Sequence, residues 1–190
     1  MEFLASAGSR VINDNSESSL PAPVLIIGLG NPILGDDGVG WRIADQIAEI
    51  LSQLQPEPEN QTRPSNTSSL VKYEVDCLSL GGLNLMERML GYEQVILVDA
   101  ITTGEHPPGT VVGLPLTDLP NRAYGHLSSA HDTTLQNALQ VAQAMGAKIP
   151  SLVTIIGIEI LPDYNFSQEI SPPVMEAIPK AIDAVMELLK

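Results

Sequence analysis

Basic residues are scarce in this chain. Lys and Arg number 9 against 23 Asp and Glu, a formal net charge of −14, and they never cluster. Binding driven by nucleic-acid phosphates needs grouped cations, so that class is excluded. An anionic membrane surface is disfavoured for the same reason, and a cation or a basic peptide segment is the more natural partner. Cysteine is nearly absent: Cys77 stands alone, which rules out an intramolecular disulfide and the disulfide framework of small secreted proteins. No segment approaches the roughly 18 continuous apolar residues of a membrane helix. The opening residues, MEFLASAGSRVINDNSESSLPAP, lack both the basic start and the apolar run of a signal peptide. These absences predict a soluble cytoplasmic protein. Aromatics are only 4% of the chain, so the core must be aliphatic.

What remains is a globular composition, 44% apolar and 17% charged, over 190 residues. That length suits one well-buried core. Residues 1–22 are polar and aperiodic and read as a flexible extension, leaving 23–190 as a single domain. Val24–Leu29 (VLIIGL) is an unbroken apolar run stopped by glycine, the mark of a strand buried on both faces. After the loop GNPILGDDG, Val39, Ile43, Ile47, Ile50, Leu51 and Leu54 recur at helical spacing. Residues 55–69 are rich in Pro, Asn, Gln, Ser and Thr and read as a flexible surface loop. Strands are expected over Val71–Cys77, over Gln94–Val98 ending at Asp99, and over Leu152–Ile158. Helices are expected through Leu83, Met86 and Leu90, through Leu135–Met145, and from Val174 to Leu189 with a kink or restart at Pro179. Ser128, Ser129 or Asp132 could cap the second of these helices. Only about ten residues separate Asp99 from the next strand-like run, Thr110–Leu114, and a parallel crossover needs a dozen or more. That strand is therefore expected to be antiparallel. The whole predicts a three-layer α/β sandwich with a twisted, mostly parallel mixed sheet of about five strands.

In open α/β sheets ligands gather at the carboxyl ends of the strands. Asp36 and Asp37 follow the first strand, Asp76 and Cys77 end the second, and Asp99 ends the third. Like charges gathered on one edge repel and lose hydration, which a bound cation would relieve. For Asp36 the simpler reading is a cap on a turn or helix, and for Asp99, which precedes a loop without a helix, function is the better reading. The loop lacks the Gly-Lys-Ser/Thr of a P-loop, and its third glycine comes too late for a dinucleotide fingerprint. Of the three histidines, His106 sits in the turn EHPPG, whereas His126 and His131 share one loop before a helix. A histidine with two aspartates would suit a borderline divalent ion such as Ni²⁺ or Zn²⁺. No G-x-S-x-G elbow is present and Cys77 lacks an adjacent base, so metal-assisted attack by water is the more natural hydrolytic scheme.

The segments VLIIGLGNPILGDDGVGWRIADQI, VILVDAI, HDTTL and VTIIGIEI, in this order and followed by a Pro-containing final helix, resemble the nickel–iron hydrogenase maturation proteases from Val24 to Leu189. The resemblance implies a twisted mixed sheet flanked by helices. It implies an endopeptidase that removes a short C-terminal extension from the nickel-loaded large-subunit precursor of a hydrogenase. The family's metal-binding triplet, an acid in the glycine loop, an Asp after the third strand and a later His, carries over as Asp37, Asp99 and His131, the expected catalytic and metal-binding set. The nickel belongs to the substrate and serves as a recognition handle; no resident organic cofactor is expected, and the protein is expected to act as a monomer. Some members carry an acid or a His just past the second strand, where this chain reads DCLSLGG. Two other readings compete. One is a non-catalytic, chaperone-like nickel-binding protein for the same precursor. The other is peptidyl-tRNA hydrolase, which shares GLGNP but has a histidine where this chain has Asp36 and Asp37 and needs basic residues missing here.

Overall fold

The computed structural model describes residues 23–54, 72–118, 134–162 and 166–190. The expected extension over 1–22, the loop at 55–69, Tyr124, His126, His131 and the three proposed capping residues lie outside them. The elements are β1 (Val24–Leu29), α1 (Val39–Leu54), β2 (Tyr73–Leu78), α2 (Gly82–Met89), β3 (Gln94–Ile101), β4 (Val111–Pro115), α3 (Leu135–Ala144), β5 (Leu152–Glu159) and α4 (Pro172–Leu188). They form one sheet in the order β2-β1-β3-β5-β4. All pairings are parallel except β4 with β5, so the antiparallel strand expected after Asp99 is present, at the sheet edge.

Period-two alternation sorts the aliphatic strands into two cores. Val24, Ile26, Ile96, Val98, Ile156 and Ile158 pack with α1 and α4. Leu25, Ile27, Leu29, Val95, Leu97 and Ile155 pack with α2 and α3 on the other face. This is the three-layer sandwich. The contact of α1 with the sheet is unusually close because it is made by glycines: a Cβ on Gly28 would stand 2.3 Å from the Gly40 carbonyl oxygen.

Several local expectations change. β3 does not stop at Asp99 but continues to Ile101, because β5 reaches Glu159 and pairs with it that far. α3 is capped by Thr134, whose side chain accepts from the Asn137 N–H, not by the residues proposed from sequence. Met145 lies past the end of α3 and is exposed, since the helix stops before its stripe can use it. Leu83 also faces water, and Leu85, Met86 and Met89 do the packing of α2. α4 runs through Pro179 without a restart: the proline lies on the exposed face, so its missing N–H leaves the buried stripe of Val174, Ala177, Ile178, Ala181, Ile182 and Val185 intact.

Candidate active site at the carboxyl edge of the sheet

Strand order reverses at β1. The chain leaves β1 through α1 on one face to reach β2, then returns through α2 on the other face to β3. The loops after β1 and β3 therefore diverge, opening the crevice where doubly wound sheets bind ligands. Asp37 is in the turn that follows β1 and Asp99 is within β3, the next strand in the sheet.

Asp99 stands beside Gly157 of β5 and is completely buried. Alternation puts it on the same side as Val95 and Leu97. A Cβ on Gly157 would stand 2.6 Å from Ile101 Cδ1, so Ile101 fills the space that glycine leaves. An apolar residue would satisfy such a site at lower cost, because a buried carboxylate loses hydration that its surroundings must replace.

Asp37 lies in a 3-10 turn, Gly35–Gly38, that leads directly into α1. Its Oδ2 accepts the Asn31 N–H at 2.8 Å, folding the loop back on its own start. That fold demands glycine at position 30, where φ is +136° and a Cβ would fall 1.9 Å from the Asp37 carbonyl oxygen. At Gly40 a Cβ would lie 2.2 Å from Leu29 O and 2.5 Å from Val98 O. Gly40 comes three residues after Asp37, and Val98 immediately precedes Asp99. This close approach ties the start of α1, just after Asp37, to the β3 backbone just before Asp99. Further ties fix the loop: Ser79 Oγ donates to Gly30 O at 2.6 Å, and the Trp41 indole N–H donates to Leu78 O at 3.0 Å.

The neighbouring acids have other employment. Asp36 accepts both the N–H and the hydroxyl of Ser171, at 2.6 and 2.7 Å, and so anchors the start of α4. Asp76 does not join the acidic edge. It points toward α2 and pairs with Arg88 Nε at 2.5 Å, while the same guanidinium reaches Glu74 at 3.3 Å. Tyr92 donates to Glu74, and that bond with the Lys72 ammonium beside it brings the Glu74 carboxyl down to about 2. Cys77 points to the opposite face, where its thiol lies 3.3 Å from Asp45 Oδ1. Burial, reinforced by that carboxylate, pushes the thiol up to about 12, so it stays protonated and is a poor nucleophile or metal ligand at neutral pH.

His106 is exposed, as its turn suggested. Among the described residues no trio of His, Cys, Asp and Glu could hold a metal ion. His131 lies outside them, so two members of the expected set, Asp37 and Asp99, can be placed. Both offer hard oxygen donors suited to a divalent cation.

Sequence reasoning passed over one buried acid, Glu159, which is 2% exposed. Its carboxylate accepts from Thr103 Oγ1 at 2.6 Å and from the Gly104 N–H at 2.7 Å, holding the turn that follows β3. The signal was present as an acid inside the apolar run IIGIEI.

Comparison with known proteins places these features in context. The profile of the family described as hydrogenase maturation protease matches residues 74–188, a span that includes Asp99. The chain is 30% identical over 169 residues to a hydrogenase expression/formation protein, HupD, of Rhodobacter capsulatus, covering 88% of this chain and 72% of that protein. It is 25% identical over 169 residues to the hydrogenase 2 maturation protease of Escherichia coli K12, covering 88% and 90%. Among solved structures, the hydrogenase maturating endopeptidase HybD from E. coli superposes with a TM-score of 0.63 at 22% identity, covering 88% of this chain and 91% of that one, a likeness of fold. A hydrogenase 2 maturation peptidase from a Thaumarchaeota archaeon superposes with a TM-score of 0.56 at 27% identity, covering 88% and 97%.

Proposed function

This chain belongs to the hydrogenase maturation protease family, and from that premise we propose that it removes the C-terminal extension of a nickel–iron hydrogenase large-subunit precursor after nickel insertion. It is a hydrolase of peptide bonds. The observation that best supports the finer reading is the completely buried Asp99 on the strand next to the strand-order reversal at β1, its backbone approached by Gly40 of the segment that follows Asp37. In this reading the two carboxylates engage the precursor's nickel, with His131 as the third ligand carried over from the family resemblance. The metal is thus part of the substrate. Docking it fixes the following polypeptide in the crevice, and holding a scissile bond in one orientation is itself a large catalytic contribution. No helix among the described residues is long and apolar enough to cross a membrane. The reading includes a cytoplasmic location and action as a monomer.

The test is to incubate this protein with nickel-loaded and nickel-free precursor and to follow the mass of the large subunit. Release of a C-terminal peptide from the nickel-loaded form alone is expected. Binding of the precursor with no peptide released would instead identify a chaperone-like protein.

A further inference from the structure

Exposed large apolar side chains of the described residues lie mainly at the two edges of the sheet. Ten large ones are exposed among the described residues. Five of these, Ile33, Leu83, Leu161, Phe166 and Met175, lie at the carboxyl edge of the sheet that carries Asp37 and Asp99. Leu83 and Met175 are in the first turns of α2 and α4, Leu161 follows β5, and Ile33 is in the Asp37 loop. Phe166 is 82% exposed in a chain with two phenylalanines. Aromatic burial is among the largest contributions a core can gain, so leaving this ring in water forgoes it.

The backbone shows how two of them, Ile33 and Phe166, are held. Ser167 N–H donates to Ile33 O at 3.0 Å, and Gly35 N–H donates to Ser167 O at 2.6 Å, a parallel bridge between Leu34 and Ser167. The Ile33 carbonyl accepts from the peptide N–H that joins Phe166 to Ser167, so the backbones of the two exposed residues adjoin. The bond of Asp36 to Ser171 clamps the same two segments again. An apolar pair is thus braced on the loop that carries Asp37, four residues away.

We propose that Ile33 and Phe166 form the apolar lip on which the hydrogenase large-subunit precursor docks beside the Asp37–Asp99 crevice. This rests on the endopeptidase reading. Charge selects the occupant. Asp36 and Glu169 line a surface cavity together with Gly35 and Ser167, close to Ile33 and Phe166 in the chain, while Arg42 donates to Gln168 O at 3.1 Å. A segment with an apolar residue flanked by cations fits this surface, and so does a precursor whose metal supplies positive charge. A second copy of this chain does not, since each carries a net charge of −14 and would bring its own acidic edge against the first. An acid centre within an apolar rim suits a protein partner better than a small molecule.

The experiment compares wild type, the double variant Ile33→Ser/Phe166→Ser, and Leu188→Ser, an exposed apolar position at the opposite end of α4. Thermal unfolding of the double variant should match wild type, because neither side chain is in the core. For cleavage of nickel-loaded precursor, KM should rise about 10-fold or more in the double variant with kcat within about 2-fold, the pattern of lost uniform binding. Leu188→Ser should leave both unchanged. Equilibrium binding of nickel-free precursor should weaken by a similar factor in the double variant. Unchanged KM and unchanged binding would overturn the docking lip, as would sedimentation showing a wild-type dimer that the double variant dissociates, or no binding of precursor by wild type. If precursor binds through the lip yet no peptide is ever released, the endopeptidase reading fails and the docking surface stands.

Discussion

Replacing Gly40 by Ala tests whether the seat of α1 on the sheet is what brings Asp37 to Asp99. A Cβ at position 40 would lie 2.2 Å from Leu29 O, 2.5 Å from Val98 O and 3.0 Å from Leu29 N. These are backbone atoms of two adjacent central strands, so none can rotate aside as a side chain would. Relief requires the start of α1 to lift by roughly 1 Å to recover ordinary contact. Overpacking of this kind typically costs about 1–3 kcal/mol, and the rigid surroundings place this case at the upper end. The roughly 1 kcal/mol by which Ala favours a helix over Gly offsets part of it. A net loss of about 2 kcal/mol lowers Tm by about 4–8 °C in a domain of this size. The same lift displaces Asp37, and a misplacement of about 1 Å can cost on the order of 100-fold in rate. Gly113→Ala is the control, since its Cβ would meet only Ile156 Cδ1, at 3.4 Å. Thermal unfolding and precursor cleavage are measured on both proteins. A Gly40→Ala protein with unchanged Tm and full activity would refute the reasoning.

Three further outcomes follow from the same geometry. Cys77, with its thiol near 12, should react with iodoacetamide at pH 8 on the order of 10³-fold more slowly than a free cysteine of ordinary acidity, and Cys77→Ala should cleave precursor normally; rapid labelling of the folded protein would contradict this. Glu74 is held near 2 in the folded protein, below the 4.3 or so of an unfolded chain. Its stabilisation is therefore fully present above about pH 5 and is lost as pH falls through 2, so the stability gap between wild type and Glu74→Gln, read from urea midpoints, should shrink across that range. Pro179→Ala should stabilise the protein by about 1–3 kcal/mol, because it restores an N–H to the Met175 carbonyl on the exposed face of α4; a lower Tm would show that the proline has another role.

Much of this architecture was legible because its signals are local. VLIIGL reads as a strand buried on both faces, and the short connection after Asp99 implies an antiparallel strand without any knowledge of its partner. Features that depend on distant residues were not legible. The capping role read for Asp36 is present, but its partner Ser171 is 135 positions away and could not be named from the sequence. Asp76 read as one of several converging acids because its Arg88 partner sits on another element, on a helix whose facing is set only by packing. The extra length of β3 depends on how far β5 extends, so Asp99 emerged as an interior strand residue rather than a terminal one. Glu159 went unnoticed because its partners come from the turn after β3. The choice of Asp37 over Asp36 came from family resemblance. His131 lies outside the described residues.

The most direct measurement is the cleavage of nickel-loaded precursor by Asp99→Asn, with Asp36→Asn beside it. Asparagine keeps the shape of Asp99 while removing its charge, so circular dichroism and Tm should show a folded protein. If Asp99 engages the metal-bearing substrate, peptide release should slow by about 100-fold or more, the scale expected when one polar group directed at the reacting centre is lost. Asp36→Asn, which alters only the tie to Ser171, should cleave within a few-fold of wild type. Release of the C-terminal peptide by Asp99→Asn at the wild-type rate would contradict the account.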